Sequence, residues 1–69
     1  MKALRYGRIV KVLLANGFSL SRSRGSHEIY KNEDGRIVIV AFHGKSTSIP
    51  IGTCLAIVKQ SGLPKKLFK

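Results

Sequence analysis

The sequence has few acidic residues and few of the features that stabilise a small protein from outside its core. It contains three acids against 13 lysines and arginines, which gives a formal net charge of +10 over 69 residues, and it has one cysteine and no tryptophan. A single cysteine excludes an internal disulfide and a zinc site built from several cysteines. A chain of this length forms one domain, residues 1–69, and must rely on a compact apolar core.

Long apolar runs are also missing. No run approaches the roughly 18 residues that indicate a membrane span, and residues 1–7 lack the charged-then-apolar order of a secretory signal. We therefore expect a cytosolic setting and no membrane partner. The positive residues occur in all segments rather than on one amphipathic helix, which argues against binding at a membrane surface. The charge serves either solubility alone or a nucleic acid, whose phosphates a basic surface attracts.

The hydrophobic period changes along the chain from helical to alternating and back to helical. These patterns and the turn residues between them predict a helix over about residues 6–15, strands over 18–24, 27–31 and 36–42, a polar loop over 43–50, and a second helix from Gly52 or Thr53 to Ser61. Gly17 and Gly62 close the two helices, and the Thr53 hydroxyl is expected to cap the second. The order predicts an α+β fold, helix–strand–strand–strand–helix, whose antiparallel three-stranded sheet carries both helices on one face. Its other face is open for binding.

The same patterns predict which side chains are buried. The residues expected to face the core are Tyr6, Ile9, Val10, Leu13 and Leu14 on the first helix, Ile51 before the second, and Cys54, Leu55, Ile57 and Val58 on it. The third strand is apolar on both faces over residues 37–40, which predicts a central or well-covered position. Leu67 and Phe68 form a last apolar anchor.

His27 is the residue most suited to chemistry. It follows a Gly-Ser turn, and Arg22, Arg24 and Lys31 lie close to it in sequence. Cleavage of RNA needs a base for the 2′-hydroxyl proton, an acid for the leaving 5′-oxygen and cations around the developing negative charge. His27 is suited to either proton transfer, with the three cations holding the phosphate. The alternative is a partly buried packing residue with its ring hydrogen-bonded.

Several motifs, in order, resemble the HicA toxin family: Asn16-Gly17-Phe18, the segment Arg24–Tyr30 with its Gly-Ser-His, Gly35–Val40, His43, and the closing segment Ile51–Leu63. The match extends from about Tyr6 to Leu63. The resemblance implies a fold similar to double-stranded-RNA-binding domains, an mRNA interferase activity in which His27 is the catalytic histidine, and silencing by a HicB-type antitoxin.

Other polar residues have weaker assignments. The backbone N–H groups of Gly25 and Ser26 and the loop beginning at Lys45 are candidate phosphate contacts, although a turn and a solvated loop explain them equally well. His43 is a second acid or base, a phosphate contact or, as we favour, a cap of the strand end. The two histidines lack carboxylate partners for a metal site, so we predict no metal and no cofactor.

Two functions from different classes follow from these residues. The first is a metal-independent endoribonuclease of toxin type, using His27 for chemistry and Arg22, Arg24, Ser26, Lys31 and Lys45 for RNA binding. The second is a non-catalytic module that binds double-stranded RNA by shape and phosphate contacts. An acidic antitoxin covering the cationic face is compatible with the first.

Overall fold

The computed structural model describes all 69 residues and confirms the predicted α+β order, with two further short strands. The elements are β1 (Leu4–Arg5), α1 (Tyr6–Ala15), β2 (Ser19–Arg24), β3 (His27–Lys31), β4 (Ile37–Ala41), β5 (Ser48–Ile49) and α2 (Ile51–Ser61), followed by a 3₁₀ turn at Lys65–Leu67. Neither helix has the length and apolarity that crossing a bilayer requires.

The main sheet has the order β2–β3–β4, and both pairings are antiparallel. The prediction that the third strand is central or well covered is therefore wrong, because β4 lies at an edge with one face exposed, and β3 is central. The apolar run of β4 misled because Ile37 and Ile39 remain 50% and 48% exposed while Val38 and Val40 are fully buried. An antiparallel sheet covered on one face accepts this arrangement.

One face of this sheet packs against both helices. Its buried side chains are Tyr30 on β3 and Val38 and Val40 on β4, and they belong to a single core that includes Ile9 and Leu13 of α1 and Cys54 and Ile57 of α2. Cys54 is buried as predicted. Phe68 is also in this core with Leu67 packed against it, which confirms the C-terminal anchor. Strand β2 has no buried residue, so the helices cover β3 and β4 and leave β2 outside.

Helix α1 begins and ends at the predicted residues, but its buried stripe is rotated from the predicted one. Tyr6, Ile9, Val12 and Leu13 are buried, whereas Val10 is only partly buried and Leu14 is 54% exposed. Of the six residues from 9 to 14, all but Lys11 are apolar, so the spacing is compatible with two neighbouring buried stripes on the helix. Packing against the sheet selects the stripe through Val12.

The segment predicted as a solvated loop is tied to the start of α1. Within it, β5 pairs with β1 in the register Leu4 with Ile49 and Arg5 with Ser48. The N–H groups of Tyr6 and Gly7 donate to the carbonyl oxygens of Thr47 and Lys45 at 3.0 and 3.1 Å. These bonds satisfy N–H groups of the first helical turn that have no intrahelical partner, in a helix without a side-chain cap.

Helix α2 starts earlier than predicted. It begins at Ile51 after Pro50, and no side chain caps it, so the predicted capping role of Thr53 is wrong. Ile51 and Leu55 are 46% and 43% exposed, so the prediction that both face the core is wrong, whereas Cys54 and Ile57 of the same helix are buried. Proline supplies the extended backbone before the first turn without a side-chain cap.

The C-terminal end of α2 lies against the free edge of β4. Gly62 ends the helix at φ +70°, and a Cβ atom there would lie 2.6 Å from the Arg36 guanidinium carbon. The Gln60 side-chain oxygen accepts a hydrogen bond from the Ile39 N–H at 3.2 Å. The helix thus covers part of an edge that would otherwise be open to pairing with another strand.

We predict that two neighbouring leucines of α1 contribute very differently to the free energy of unfolding. Leu13→Ala should lower the free energy of unfolding by about 2–5 kcal/mol, because Leu13 is fully buried and its truncation leaves a cavity. Leu14→Ala is the matched control and should change it by less than about 0.5 kcal/mol, as expected at an exposed position. Urea denaturation measures both, and equal losses would contradict the observed helix orientation.

Candidate nucleic-acid interface

The face of the sheet away from the helices, hereafter the open face, carries His27 and two arginines. His27 pairs with Arg24 of β2, and the next residue on the same face, Ile29, pairs with Arg22. Paired residues of antiparallel strands project to the same side. The hairpin register thus places both arginines on the open face. A register shift between Leu20 and Arg22 adds one residue to β2 beyond them, and this bulge pairs Leu20 with Tyr30.

Both strands therefore present their polar side chains to solvent. His27, Arg22 and Arg24 are exposed, and a shallow depression of about 350 Å³ is lined by Arg24, His27, Ile29 and Ile39. The alternative prediction, that His27 is a partly buried packing residue, is wrong because its side chain is exposed. An exposed imidazole beside a guanidinium can meet a phosphate from solvent without a rearrangement of the core.

The turn before His27 is held by the backbone. Gly25 has a φ of +61°, a conformation that favours glycine, and the Ser26 carbonyl oxygen accepts a hydrogen bond from the Phe42 N–H at 2.6 Å. Ser26 is exposed at the end of the sheet where His27 lies. This bond fixes the β2–β3 turn against the chain that leaves β4.

The other predicted cations are farther away. Lys31 lies on the open face, but four residues along β3, which is about 13 Å at about 3.3 Å per residue. Lys45 belongs to the loop beside α1, where its carbonyl oxygen accepts the Gly7 N–H. The structure thus brings Arg22, Arg24, Ser26 and His27 to one end of the sheet, with Lys31 at the other end and Lys45 outside it.

His43 lies in a different depression from His27. It lines a recess of about 330 Å³ together with Tyr6, Thr47 and Thr53, and its carbonyl oxygen accepts a hydrogen bond from the Thr47 hydroxyl at 2.7 Å. The two histidines therefore do not line a common cavity. No sequence pattern marks this recess, because its walls come from α1, β4, the 43–50 loop and α2, which only the tertiary fold brings together.

The three acids are absent from the open face beside His27. Glu28 follows His27 in the chain but lies on the opposite face of β3, where it is partly buried and accepts hydrogen bonds from tyrosines. Glu33 and Asp34 occupy the turn at the opposite end of β3. No group of three or more His, Cys, Asp or Glu side chains is close enough together to hold a metal ion.

Glu28 anchors β3 to α1 behind His27. The Tyr6 hydroxyl donates to a Glu28 carboxylate oxygen, and the Tyr30 hydroxyl donates to the same oxygen at 3.2 Å. Burial, reinforced by the Glu28 hydrogen bond, raises the pKa of Tyr6 well above its usual range. Burial also raises the pKa of Tyr30, although its hydrogen bond with Tyr6 opposes the rise. Tyr30 is thus a core residue and is not available to stack on a base.

The two helices, the three-stranded sheet and the exposed arginines of the open face define a small basic α+β domain. Comparison with known families then identifies it further. Residues 6–63 match the family described as HicA toxin of bacterial toxin–antitoxin, so this chain belongs to the HicA toxin family and is the toxin of a toxin–antitoxin system. No curated protein matches the chain.

The two tyrosines provide a test of the buried network. They are the only tyrosines of the chain, and the folded pKa of each is raised above the unfolded value of about 10. A raised pKa stabilises the folded state below the unfolded pKa, and this contribution is lost as the pH rises. We expect tyrosinate absorbance to stay low past about pH 10 and to rise together with the loss of the circular dichroism signal.

The denaturant-unfolded chain is the control and should titrate both tyrosines near pH 10. Tyr6→Phe should halve the final absorbance change. Ionisation of either tyrosine near pH 10 in a protein that keeps its circular dichroism would contradict the buried network.

Proposed function

We propose that this protein is an endoribonuclease that cleaves mRNA and that His27 is its catalytic acid or base. The observation that carries the proposal is the exposed His27 imidazole on the open face with Arg24 as its cross-strand partner. Membership of a toxin family supports an activity rather than binding alone. The cytoplasm, where mRNA is found, is the setting that this activity requires.

The reaction that fits these residues is attack of a ribose 2′-oxygen on the adjacent phosphorus. A new P–O bond forms to the 2′-oxygen, the bond to the 5′-oxygen breaks, and the products are a 2′,3′-cyclic phosphate and a 5′-hydroxyl end. His27 serves one of the two proton transfers and water carries the other proton. The guanidinium groups of Arg22 and Arg24 supply fixed positive charge and N–H donors, so their role is to bind the phosphate and stabilise its added negative charge. Because acid–base and cationic groups suffice for this step, we propose that it needs no metal ion.

The partner proposed for this toxin is an antitoxin of the HicB type. A net charge of +10, with the arginines exposed around His27, favours a partner that presents acidic side chains. Such a partner competes with RNA for the open face, because both recognise the same cations. Masking would therefore silence the nuclease without any change in its fold.

The direct test is cleavage of a long RNA in the presence of EDTA by the parent protein and by His27→Ala. General acid–base catalysis contributes about 10²–10⁴-fold, so the variant should lose activity by that factor while it retains RNA binding and its thermal unfolding profile. The variant should fold normally because His27 is exposed. Product ends identified by mass spectrometry should be cyclic phosphates.

The outcomes separate the two functional classes. Binding by both proteins without cleavage by either would favour a non-catalytic module that binds double-stranded RNA. Equal cleavage by the two proteins would remove His27 from the chemistry. Cleavage that requires an added divalent ion would overturn the metal-independent step.

A second prediction concerns charge on the two faces of the domain. Lys31→Gln and Arg24→Gln should each weaken RNA binding and reduce the slope of log K against log salt by about 0.7–0.9, the value for one phosphate contact. Lys11→Gln is the matched control, since Lys11 is exposed on α1 and the helices lie on the opposite face. Filter binding at several salt concentrations measures the slopes. A larger effect at Lys11 than at Lys31 would place the RNA on the helical side.

A further inference from the structure

We propose that the recess beside His43, hereafter the loop recess, is a subsite that takes one unpaired nucleobase of the RNA strand held at His27. This inference rests on the proposed function for the identity of its ligand. It assigns a substrate contact to a cavity that lies apart from the open face. It also implies that the strand bends around the end of the sheet.

The loop recess has the size and lining of a small-molecule site. Its volume of about 330 Å³ falls within the range of about 300–1,000 Å³ that is typical of ligand pockets. Ile49, Pro50 and Ile57 form apolar walls, and the Tyr6 side chain completes them. A flat aromatic base fits such walls because it buries its faces there without leaving polar atoms unpaired.

Its polar groups suit the edge of a base rather than a phosphate. The polar residues that line the loop recess are Thr47, Ser48, Thr53 and His43, and no lysine, arginine, aspartate or glutamate lines it. Hydroxyls and an imidazole both donate and accept hydrogen bonds, as the edges of unstacked bases require. A phosphate inside the recess would have no cation to neutralise it.

The cations instead lie on both sides of the recess. Arg24 lies on the side of the open face, and Arg5 and Lys45 lie on the side of the loop, where the Arg5 guanidinium donates to the Ser46 carbonyl oxygen at 3.1 Å. An RNA strand whose base enters the recess would place one flanking phosphate near Arg24 and the other near Arg5 and Lys45. This arrangement gives Lys45 a role even though it lies far from the open face.

The register of the sheet places the loop recess next to the catalytic end. Ala41 lines the recess and is the cross-strand partner of His27 on β4. The next residue, Phe42, donates its N–H to Ser26 in the turn before His27. Neighbouring strands lie about 4.7–4.9 Å apart, so the recess wall at Ala41 is one strand away from His27. An RNA strand that turns around this end of the sheet can therefore pass from His27 to the recess.

The recess is formed before any ligand binds. Its loop wall is fixed by the β1–β5 pairing, by two backbone hydrogen bonds from the start of α1, and by the Thr47 hydroxyl bond to the His43 carbonyl oxygen. A wall held in this way does not need to be ordered by the ligand, which lowers the cost of binding. The exposed Phe42 ring packs edge-on against the Tyr6 ring, with their centroids 4.8 Å apart, and extends the aromatic surface beside the recess.

The test uses Thr53→Leu, which adds apolar bulk at the recess without disturbing a hydrogen bond of the fold. Ala56→Leu is the matched control, because residue 56 is exposed on the same helix and does not line the recess. Cleavage of an RNA library that is random around the cut site measures base preference. Thr53→Leu should reduce cleavage at the preferred sites by about tenfold and even out the preference, whereas Ala56→Leu should retain both. An unchanged preference in Thr53→Leu would overturn the inference.

A second measurement does not depend on cleavage. A single-stranded RNA with 2′-O-methyl groups cannot be cut by its own 2′-hydroxyl, so its binding can be followed through the amide chemical shifts of the protein. Shifts at His43 and Thr47 that disappear in Thr53→Leu support the base subsite, even if RNA is never cleaved and the proposed nuclease activity fails. Shifts confined to the open face, in a protein that does cleave RNA, overturn the subsite and leave the nuclease proposal standing.

Discussion

The alternation of side chains along β3 is the constraint on which the rest of the structure depends. Tyr30 must be buried against the helices and Glu28 must reach the Tyr6 hydroxyl on the same side, so His27 and Ile29 must face solvent. A shift of the strand by one residue would bury the imidazole and expose the tyrosine. The hydrogen-bonded tyrosines thus position the candidate catalytic group without touching it, because they fix which face of β3 is the open one.

Two regions of the surface differ in charge and in shape, and the proposals assign them different roles in binding RNA. The open face supplies exposed guanidinium groups around His27, and electrostatic attraction to a polynucleotide acts there without regard to sequence. The loop recess is uncharged and partly apolar, which suits selection of a base rather than attraction of a backbone. In the proposed function, the open face binds any RNA strand and the loop recess selects the base beside the cut. The proposed acidic antitoxin would need to cover only the open face to silence this activity.

Local features of the fold were predictable from sequence, and non-local ones were not. Helix α1 and the turns at Gly25 and Gly35 follow from period and from residues that tolerate positive φ, and the structure has them at the predicted positions. The orientation of α1 and the edge position of β4 depend on which surfaces meet, and an apolar run such as residues 37–40 is compatible with either place. The two-residue pairing of β5 with β1 joins segments more than 40 residues apart, so no local pattern marks it. At the candidate site, the neighbourhood of Arg22, Arg24 and His27 was predictable because a hairpin is local, whereas the loop recess requires four separate segments.

The central claim is that RNA lies across the open face with a phosphate at His27. It is tested most directly by mapping the RNA footprint on the uncleaving His27→Ala protein through amide chemical shifts and intermolecular contacts. We predict that the largest chemical-shift changes occur in the hairpin from Arg22 to Ile29 and that the outward surface of α1 around Arg8 and Lys11 is unaffected. A footprint centred on α1, with the hairpin unchanged, would contradict it.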